Sequence, residues 1–350
     1  MTESDGIPCM QMRGGSSKGA YFLASDLPAD PAERDDLLLR IMGSPDERQI
    51  DGLGGGHPLT SKVAVVSPSP SPDADVDYLF LQIVPDRPIV TDAQTCGNLL
   101  AGVGPFAIER GLVAPAGETT TVRIRIMNPT ESLAEATVRT PADKVRYDGD
   151  TVMAGTPFPA APIDLAFPGG DAPLFPTGTL VNFFAGVEAT AVDAGMPVVV
   201  VRAADLGIDG DEPPERLEAD DALRAKVEAL RLAAGEAMGL GDVRDKTVPK
   251  VSIVSAPRQG GTVTTRTFIP HRVHAAIGVL GAVSVAAALR ARGEAAERLV
   301  RVEHPSGFFD AYVDLEGTGP QTRLVRSSVV RTARKLSDGL VWPRSGKATE

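Results

Sequence analysis

A chain of 350 residues, 43% hydrophobic and 23% charged, carries enough apolar material for two cores and reads as globular rather than disordered or fibrous. Its 46 acidic residues against 35 basic ones leave a formal net charge of −11, and no Lys/Arg stripe interleaved with aromatics is present, which argues against nucleic acid and anionic membranes as partners. Two cysteines, Cys9 and Cys96, are too few for a disulfide framework, no run approaches the roughly 18 apolar residues of a membrane span, and no basic-then-apolar leader opens the chain, so a cytoplasmic protein is expected.

Short β-like runs come first. "IPCMQM" from Ile7 and "AYFLA" from Ala20 flank a Gly/Ser loop, and "KVAVVSP", "YLFLQIV", "TVRIRIM" and "LAEATVRT" follow, bounded by Pro, Gly and Asp. Helical periodicity predicts helices over 32–42, 96–110, 214–238 and 274–292. The third is charged on one face and reads as a solvated surface helix. The second and fourth are apolar nearly all round, which predicts that each is buried against a sheet.

An internal echo organises the chain. "KVAVVSP" from Lys62 recurs as "KVSIVSAP" from Lys250, and each is followed by a Gly/Ala-rich apolar helix ending in Arg-Gly. Self-similarity at so long a period predicts two copies of one domain. The Pro/Gly-rich "FPGGDAPLFPTG" from Phe167 lies just before the second copy, so the expected domains are 1–183 and 184–325. The start of each central helix, with unpaired N–H groups and the positive end of the dipole, can hold a carboxylate, so an acidic protein can still bind an anion.

Cys96 opens the second helix in "TCGNLLAG". A free cysteine is commonly a small buried hydrophobe, and Cys9 inside an apolar strand fits that description. At a helix start the local N–H groups favour negative charge on sulfur, so Cys96 is the candidate for chemistry. "RGGSSKG", 13–19, lacks the Gly-Lys-Ser/Thr order of a phosphate loop and reads either as a plain turn or as a carboxylate site using Ser16 and Ser17. "DGLGGGHPLTSK", 51–62, is followed by a strand rather than a helix, which excludes a dinucleotide fingerprint. Lys62 at its end is either a surface lysine or a partly desolvated base. "HRVH" sets His271 and His274 three residues apart with no third ligand nearby, so no metal is expected and His271 reads instead as a substrate contact. Arg266 in "TVTTRTFIP" is a candidate carboxylate clamp. Ser306 lies in the turn "HPSG".

Taken in order, "MRGGSSKGAYF", "DGLGGGHPLTSKVAVVSPS", "TCGNLLAGVGPFAIERGLV", "VDAGMPVVVVRAADLGIDG" and "EHPSG" resemble the PrpF-like isomerases, which share the diaminopimelate epimerase fold. The resemblance spans about Ile7 to Leu340. It implies an α/β (α+β) chain of two similar domains, each a curled mixed sheet around a central helix, with the segment from about 326 to 350 returning to the first. The members most similar tautomerise 4-oxalomesaconate in gallate and protocatechuate breakdown; others isomerise 2-methylaconitate or aconitate. The resemblance implies Lys62 and Cys96 as catalytic residues and Ser16, Ser17, Gly97 and Asn98 as carboxylate contacts, with Arg266, His271 and Ser306 in the second domain. It implies no cofactor, a small di- or tricarboxylate as ligand, and leaves a homodimer open.

One departure from that fold's epimerases bears on mechanism. They place a cysteine at the start of each central helix, whereas the second helix here begins near Ile277-Gly278, with no thiol. A two-thiol racemase is thereby excluded, while relocation of a proton along an allylic system is not. The expected chemistry has Lys62 and Cys96 as base and acid, in an order left open. The rival readings are a cysteine hydrolase, with Cys96 as nucleophile and His271 as base, and a non-catalytic carboxylate-binding protein.

Overall fold

Side-chain periodicity accounts for most of the elements. The computed structural model describes residues 6–170 and 172–348, and the chain divides into two units, 1–166 with 330–350 and 167–329. The division expected from sequence lies near Phe184 instead.

The first unit runs β1 (Ile7–Gly14), β2 (Ser17–Leu23), α1 (Pro31–Met42), β3 (Lys62–Pro68), β4 (Val76–Ile83), β5 (Val90–Thr91), α2 (Gly97–Glu109), β6 (Thr119–Ile126), β7 (Ser132–Arg139) and β8 (Pro162–Pro168). The second runs β9 (Asn182–Phe184), β10 (Val187–Asp193), β11 (Pro197–Arg202), α3 (Ala203–Leu206), α4 (Pro214–Ala219), α5 (Asp221–Ala237), β12 (Lys250–Ser255), β13 (Val263–Phe268), α6 (Val279–Ala291), β14 (Leu299–His304) and β15 (Gly307–Glu316). The long strand β16 (Arg323–Val341) pairs with β15 through its first half and with β1 through its second.

The two units repeat one pattern of strand senses. From β1 the neighbours β2, β3, β4, β6, β7 and β8 pair antiparallel, parallel, antiparallel, parallel, antiparallel and antiparallel. From β10 the neighbours β11, β12, β13, β14, β15 and β16 give the same series. This makes β3 the counterpart of β12, and α2, which lies between β4 and β6 in sequence, the counterpart of α6 between β13 and β14. The echo of "KVAVVSP" in "KVSIVSAP" is therefore structural. Each unit is a mixed sheet around its own central helix, the architecture the resemblance implies.

Both faces of the first sheet are used. Phe22, Val63, Val65, Leu81 and Ile83 pack in one cluster with Leu37, Leu38, Ile41 and Met42 of α1. Residues of opposite parity therefore face the other side. There α2 touches β1, β2, β3, β4, β6 and β7, so the sheet curls around it. Every residue from Leu99 to Ile108 is buried, as its all-round apolarity predicts. Glycines permit that approach: a Cβ on Gly102 would collide with the Tyr21 hydroxyl.

Two predicted helices need correction. The span 214–238 is broken at Asp220, whose carboxylate accepts from Leu223 N at 2.9 Å and so starts α5 afresh. The predicted helix 274–292 begins only at Val279, because the His274 ring accepts from Ala276 N at 2.8 Å in a preceding turn and Gly278 is the N-cap. No helix among the described residues is long and apolar enough to cross a membrane.

Candidate active site

The parity that buries β4 also builds a site. Tyr78, Phe80 and Gln82 alternate with apolar Leu79 and Leu81, so all three project toward α2. Tyr78 donates its hydroxyl to the carbonyl of Cys96 at 3.2 Å. The Phe80 ring lies beneath the ammonium of Lys62, 4.9 Å from Nζ to the ring centroid. Gln82 Oε1 accepts from Lys62 Nζ at 2.9 Å. One face of one strand thus carries both the lysine and the cysteine singled out from sequence.

Lys62 is held by its strand. It is the first residue of β3, directly opposite Gln82 on one side and Gly19 of β2 on the other, and is 7% exposed. A Cβ on Gly19 would meet the Lys62 carbonyl at 2.7 Å and Leu99 Cδ2 of α2 at 2.9 Å, so the lysine's strand and the first turn of α2 converge on that glycine. Among the described residues, Lys62 has no carboxylate in an ion pair with it.

Cys96 is the N-cap of α2, half-buried and extended at φ −133° and ψ 98°. No side chain caps the helix, so the N–H groups of its first turn remain open to a ligand, and the dipole favours an anion there. The loop into Cys96 is pinned by Asn128. Its Nδ2 donates to Asp92 O at 2.7 Å, Gln94 O at 2.9 Å and Phe80 O at 3.0 Å, while its Oδ1 accepts from Phe80 N at 2.9 Å. Tyr21, on β2, donates to Leu99 O at 2.6 Å. Burial holds both tyrosines protonated, well above the usual phenol range. The other thiol, Cys9, is pushed up to about 12 by burial and is inert packing.

The β1–β2 turn closes over the helix start. Arg13 Nη1 donates to Gly15 O at 2.9 Å and to Thr332 O at 3.0 Å, which fixes the turn. Gly15 adopts φ +53°, and a side chain there would collide with Asn98. Ser16 Oγ accepts from Asn98 Nδ2 at 3.2 Å. Ser17 is 2% exposed, and its hydroxyl has no hydrogen-bond partner among the described residues. Ser16 of the turn and Asn98 of the helix start are thus in contact, while Lys62 approaches the first turn of α2 at Gly19.

The three residues expected from the second unit are engaged elsewhere. Arg266 points its guanidinium at main-chain carbonyls: Nε to Glu212 at 2.7 Å, Nη1 to Thr265 at 2.9 Å and Nη2 to Asp211 at 2.6 Å. It braces the 211–212 loop and is not poised as a carboxylate clamp. His271 is exposed and stands 3.7 Å from Glu228 on α5. Ser306 is exposed in the β14–β15 turn, with its N and Oγ each 3.3 Å from His304 Nδ1. Among the described residues, no hydrogen bond or ion pair joins any two of these three side chains. At the start of α6 the N-cap is Gly278, and a Cβ there would lie 3.6 Å from Lys250 Nζ. The second half thus keeps a lysine at its helix mouth but has glycine where the first has cysteine.

Tyr78, Gln82 and Asn128 were not singled out from sequence. The signal available for the first two was the alternation in "YLFLQIV", which sets their polar groups on one face. Among the described residues, no three His, Cys, Asp or Glu side chains are grouped so as to hold a metal ion. A cavity of about 530 Å³, lined by Gly43, Ser44, Asp46 and Arg344, lies at the end of α1 and contains none of the site residues.

The family model for "PrpF protein" matches residues 5–343. A (4E)-oxalomesaconate Delta-isomerase of Novosphingobium sp. (strain KA1) is 53% identical, covering 97% of this chain and 98% of its own. A 4-oxalomesaconate tautomerase of Pseudomonas putida is 52% identical over 96% of this chain and 95% of its own. The crystal structure of a methylitaconate-delta-isomerase superposes with a TM-score of 0.87 at 31% identity, covering 96% of this chain and 95% of that one.

Proposed function

The chain belongs to the PrpF family, and on that premise we propose that it is an isomerase moving a proton along the allylic system of an unsaturated oxo-tricarboxylic acid. The proposed substrate is 4-oxalomesaconate, the compound in the names of the two relatives that are 53% and 52% identical. The observation that carries the reading is the shared face of β4. Tyr78 holds the main chain of Cys96, while Phe80 and Gln82 hold the ammonium of Lys62.

The chemistry follows from that placement. The substrate carbonyl, conjugated with the double bond, acidifies the methylene, so a neutral amine suffices as base and no cofactor is called for. Lys62 removes the proton; the N–H groups at the mouth of α2, with Ser16, Ser17 and Asn98, hold a carboxylate and take up developing negative charge. Cys96, as thiol, returns a proton at the far end of the dienolate. A place in gallate or protocatechuate breakdown, a cytoplasmic location and a homodimeric state belong to this same proposal. A 2-methylaconitate or aconitate isomerase is the second reading, supported by the 34% identity to a 2-methyl-aconitate isomerase of Shewanella oneidensis.

The experiment compares turnover of 4-oxalomesaconate, 2-methylaconitate and aconitate by the purified protein. The first acid is expected to be consumed fastest. Lys62→Met and Cys96→Ser are each expected to lower that rate at least about a hundredfold, the scale of general acid–base catalysis. Wild-type rates in both variants would remove the two residues from the chemistry.

A further inference from the structure

Gln82 is fixed in a way that reaches past packing. Three main-chain carbonyls surround its nitrogen: Nε2 stands 3.1 Å from Pro58 O, 2.8 Å from Ser61 O and 3.3 Å from Ile83 O. Only the NH2 end of a carboxamide can meet carbonyls, so the other end, Oε1, is obliged to face Lys62 Nζ. The residue is 8% exposed, and Ser61 is itself tied down, its hydroxyl donating to Ile83 O at 2.9 Å and accepting from Gln49 Nε2 at 2.7 Å. The orientation of the amide is thus set by the backbone around it, independently of Lys62.

We propose that Gln82 is a positioning residue for Lys62, holding one N–H of the lysine in both its protonation states and so aiming the nitrogen's remaining bonds or lone pair away from β4. A neutral amine carries two N–H groups and one lone pair. With one N–H anchored on Oε1 and the negative face of the Phe80 ring beneath, the lone pair is turned from both. An amide oxygen is a neutral acceptor. It can accept from the nitrogen whether that nitrogen is an ammonium or an amine.

The duplicated half provides an internal comparison. Lys250 begins β12 as Lys62 begins β3, but its neighbour Val251 pairs with Phe268, the last residue of β13, and the next residue, Ile269, lies in a turn where its N donates to Arg272 O. No strand residue with an amide side chain stands opposite Lys250 there. The half that has glycine instead of cysteine at its helix mouth also has no glutamine beside its lysine, and the two functional groups occur together.

The titratable groups on the elements packed around Lys62 are Lys18 and Tyr21 of β2, Asp77 and Tyr78 of β4, Cys96 and Glu109 at the two ends of α2, and His57 in the loop before β3. Asp77 is paired with Arg125, and none of these groups bonds to Nζ among the described residues. An added charge at position 82 would therefore act on Lys62 directly.

The proposal rests on Lys62 being the base. Its test is the pH dependence of kcat for Gln82→Met and Gln82→Glu, with KM and the thermal midpoint followed in parallel. Gln82→Met removes the acceptor from a buried ammonium, so the limb assigned to the lysine moves to lower pH; kcat falls at least about tenfold with KM nearly unchanged, because orientation is lost. Gln82→Glu adds a negative charge and moves the limb to higher pH, by about one unit or more once the carboxylate is ionised. Shifts of opposite sign support the positioning role. A lowered midpoint with an unmoved pH profile in either folded variant overturns it and leaves Gln82 a packing residue. An active Lys62→Met variant would instead sink the underlying reading.

Discussion

Gly14→Ala isolates the seating of α2 on the β1–β2 turn. Gly14 has no positive φ, so alanine is allowed by the backbone and steric space alone decides the outcome. The added Cβ would lie 2.5 Å from Asn98 O, 2.8 Å from the Tyr21 hydroxyl and 3.1 Å from Leu99 Cα. Two of these atoms belong to the main chain of the helix's first turn, so relief requires α2 to retreat rather than a side chain to swing. Overpacking of this kind costs about 1–3 kcal/mol. Retreat also stretches the buried Tyr21–Leu99 hydrogen bond, adding about 1–3 kcal/mol if it is left unmade. The sum, roughly 2–6 kcal/mol, should appear as a lowered urea midpoint. Since Asn98 and Cys96 move with the turn, turnover should fall by about a hundredfold for a shift near 1 Å. Gly339→Ala, on the strand paired with β1 and with nothing within 4 Å of its new Cβ, is the control and should leave both quantities nearly unchanged. A Gly14→Ala protein as stable and active as the parent would refute the placement of the helix mouth.

Glu303 should make the second unit sensitive to acid. Burial alone would raise its carboxyl, but Thr264 Oγ1 and the amides of Arg258, Gly261 and Gln259 donate to it and bring it from 4.5 to about 2. A folded value below the unfolded one means that this stabilisation is complete above 4.5 and fades as the pH falls toward about 2. A neutral amide at this position lacks it at every pH, so the urea midpoint of Glu303→Gln should be lower at neutral pH and should fall less between about pH 5 and pH 3; parallel pH dependences would contradict the assignment. At the other unit's α1, Asp30 Oδ1 accepts from Ala32 N at 2.9 Å and Glu33 N at 3.0 Å. Asp30→Ala should cost about 1 kcal/mol and Asp30→Gly only a few tenths, read from denaturation midpoints. Equal losses would count against the cap.

The elements that sequence made legible are those whose signal is local. The strand opening on Lys62, the apolar run of α2 and its glycine-rich approach to the sheet follow from periodicity within a few residues. The echo between Lys62 and Lys250 was visible as text and became a repeated order of strand senses. What stayed hidden depends on partners distant in sequence. Arg266 lies in a wholly buried strand, and no local pattern reveals that its guanidinium is committed to carbonyls of Asp211 and Glu212. Asn128 stands next to a proline in what reads as a turn, yet its amide ties β4 to the loop before Cys96. The break at Asp220 was masked because a capping aspartate sits among other acidic residues in a pattern that otherwise continues as helix. The lysine and cysteine were visible one at a time; the face of β4 that carries both was not, because strand parity has to be set by burial before it can be read.

The central claim is that Lys62 takes the first proton and Cys96 delivers the second. Incubating 4-oxalomesaconate in deuterated water with each variant, and following its methylene signal by proton NMR, separates the two steps. The account predicts that Cys96→Ser still exchanges the methylene hydrogen while forming product slowly, and that Lys62→Met does neither. Exchange that persists in Lys62→Met, or is lost in Cys96→Ser while Lys62→Met retains it, would contradict the assignment.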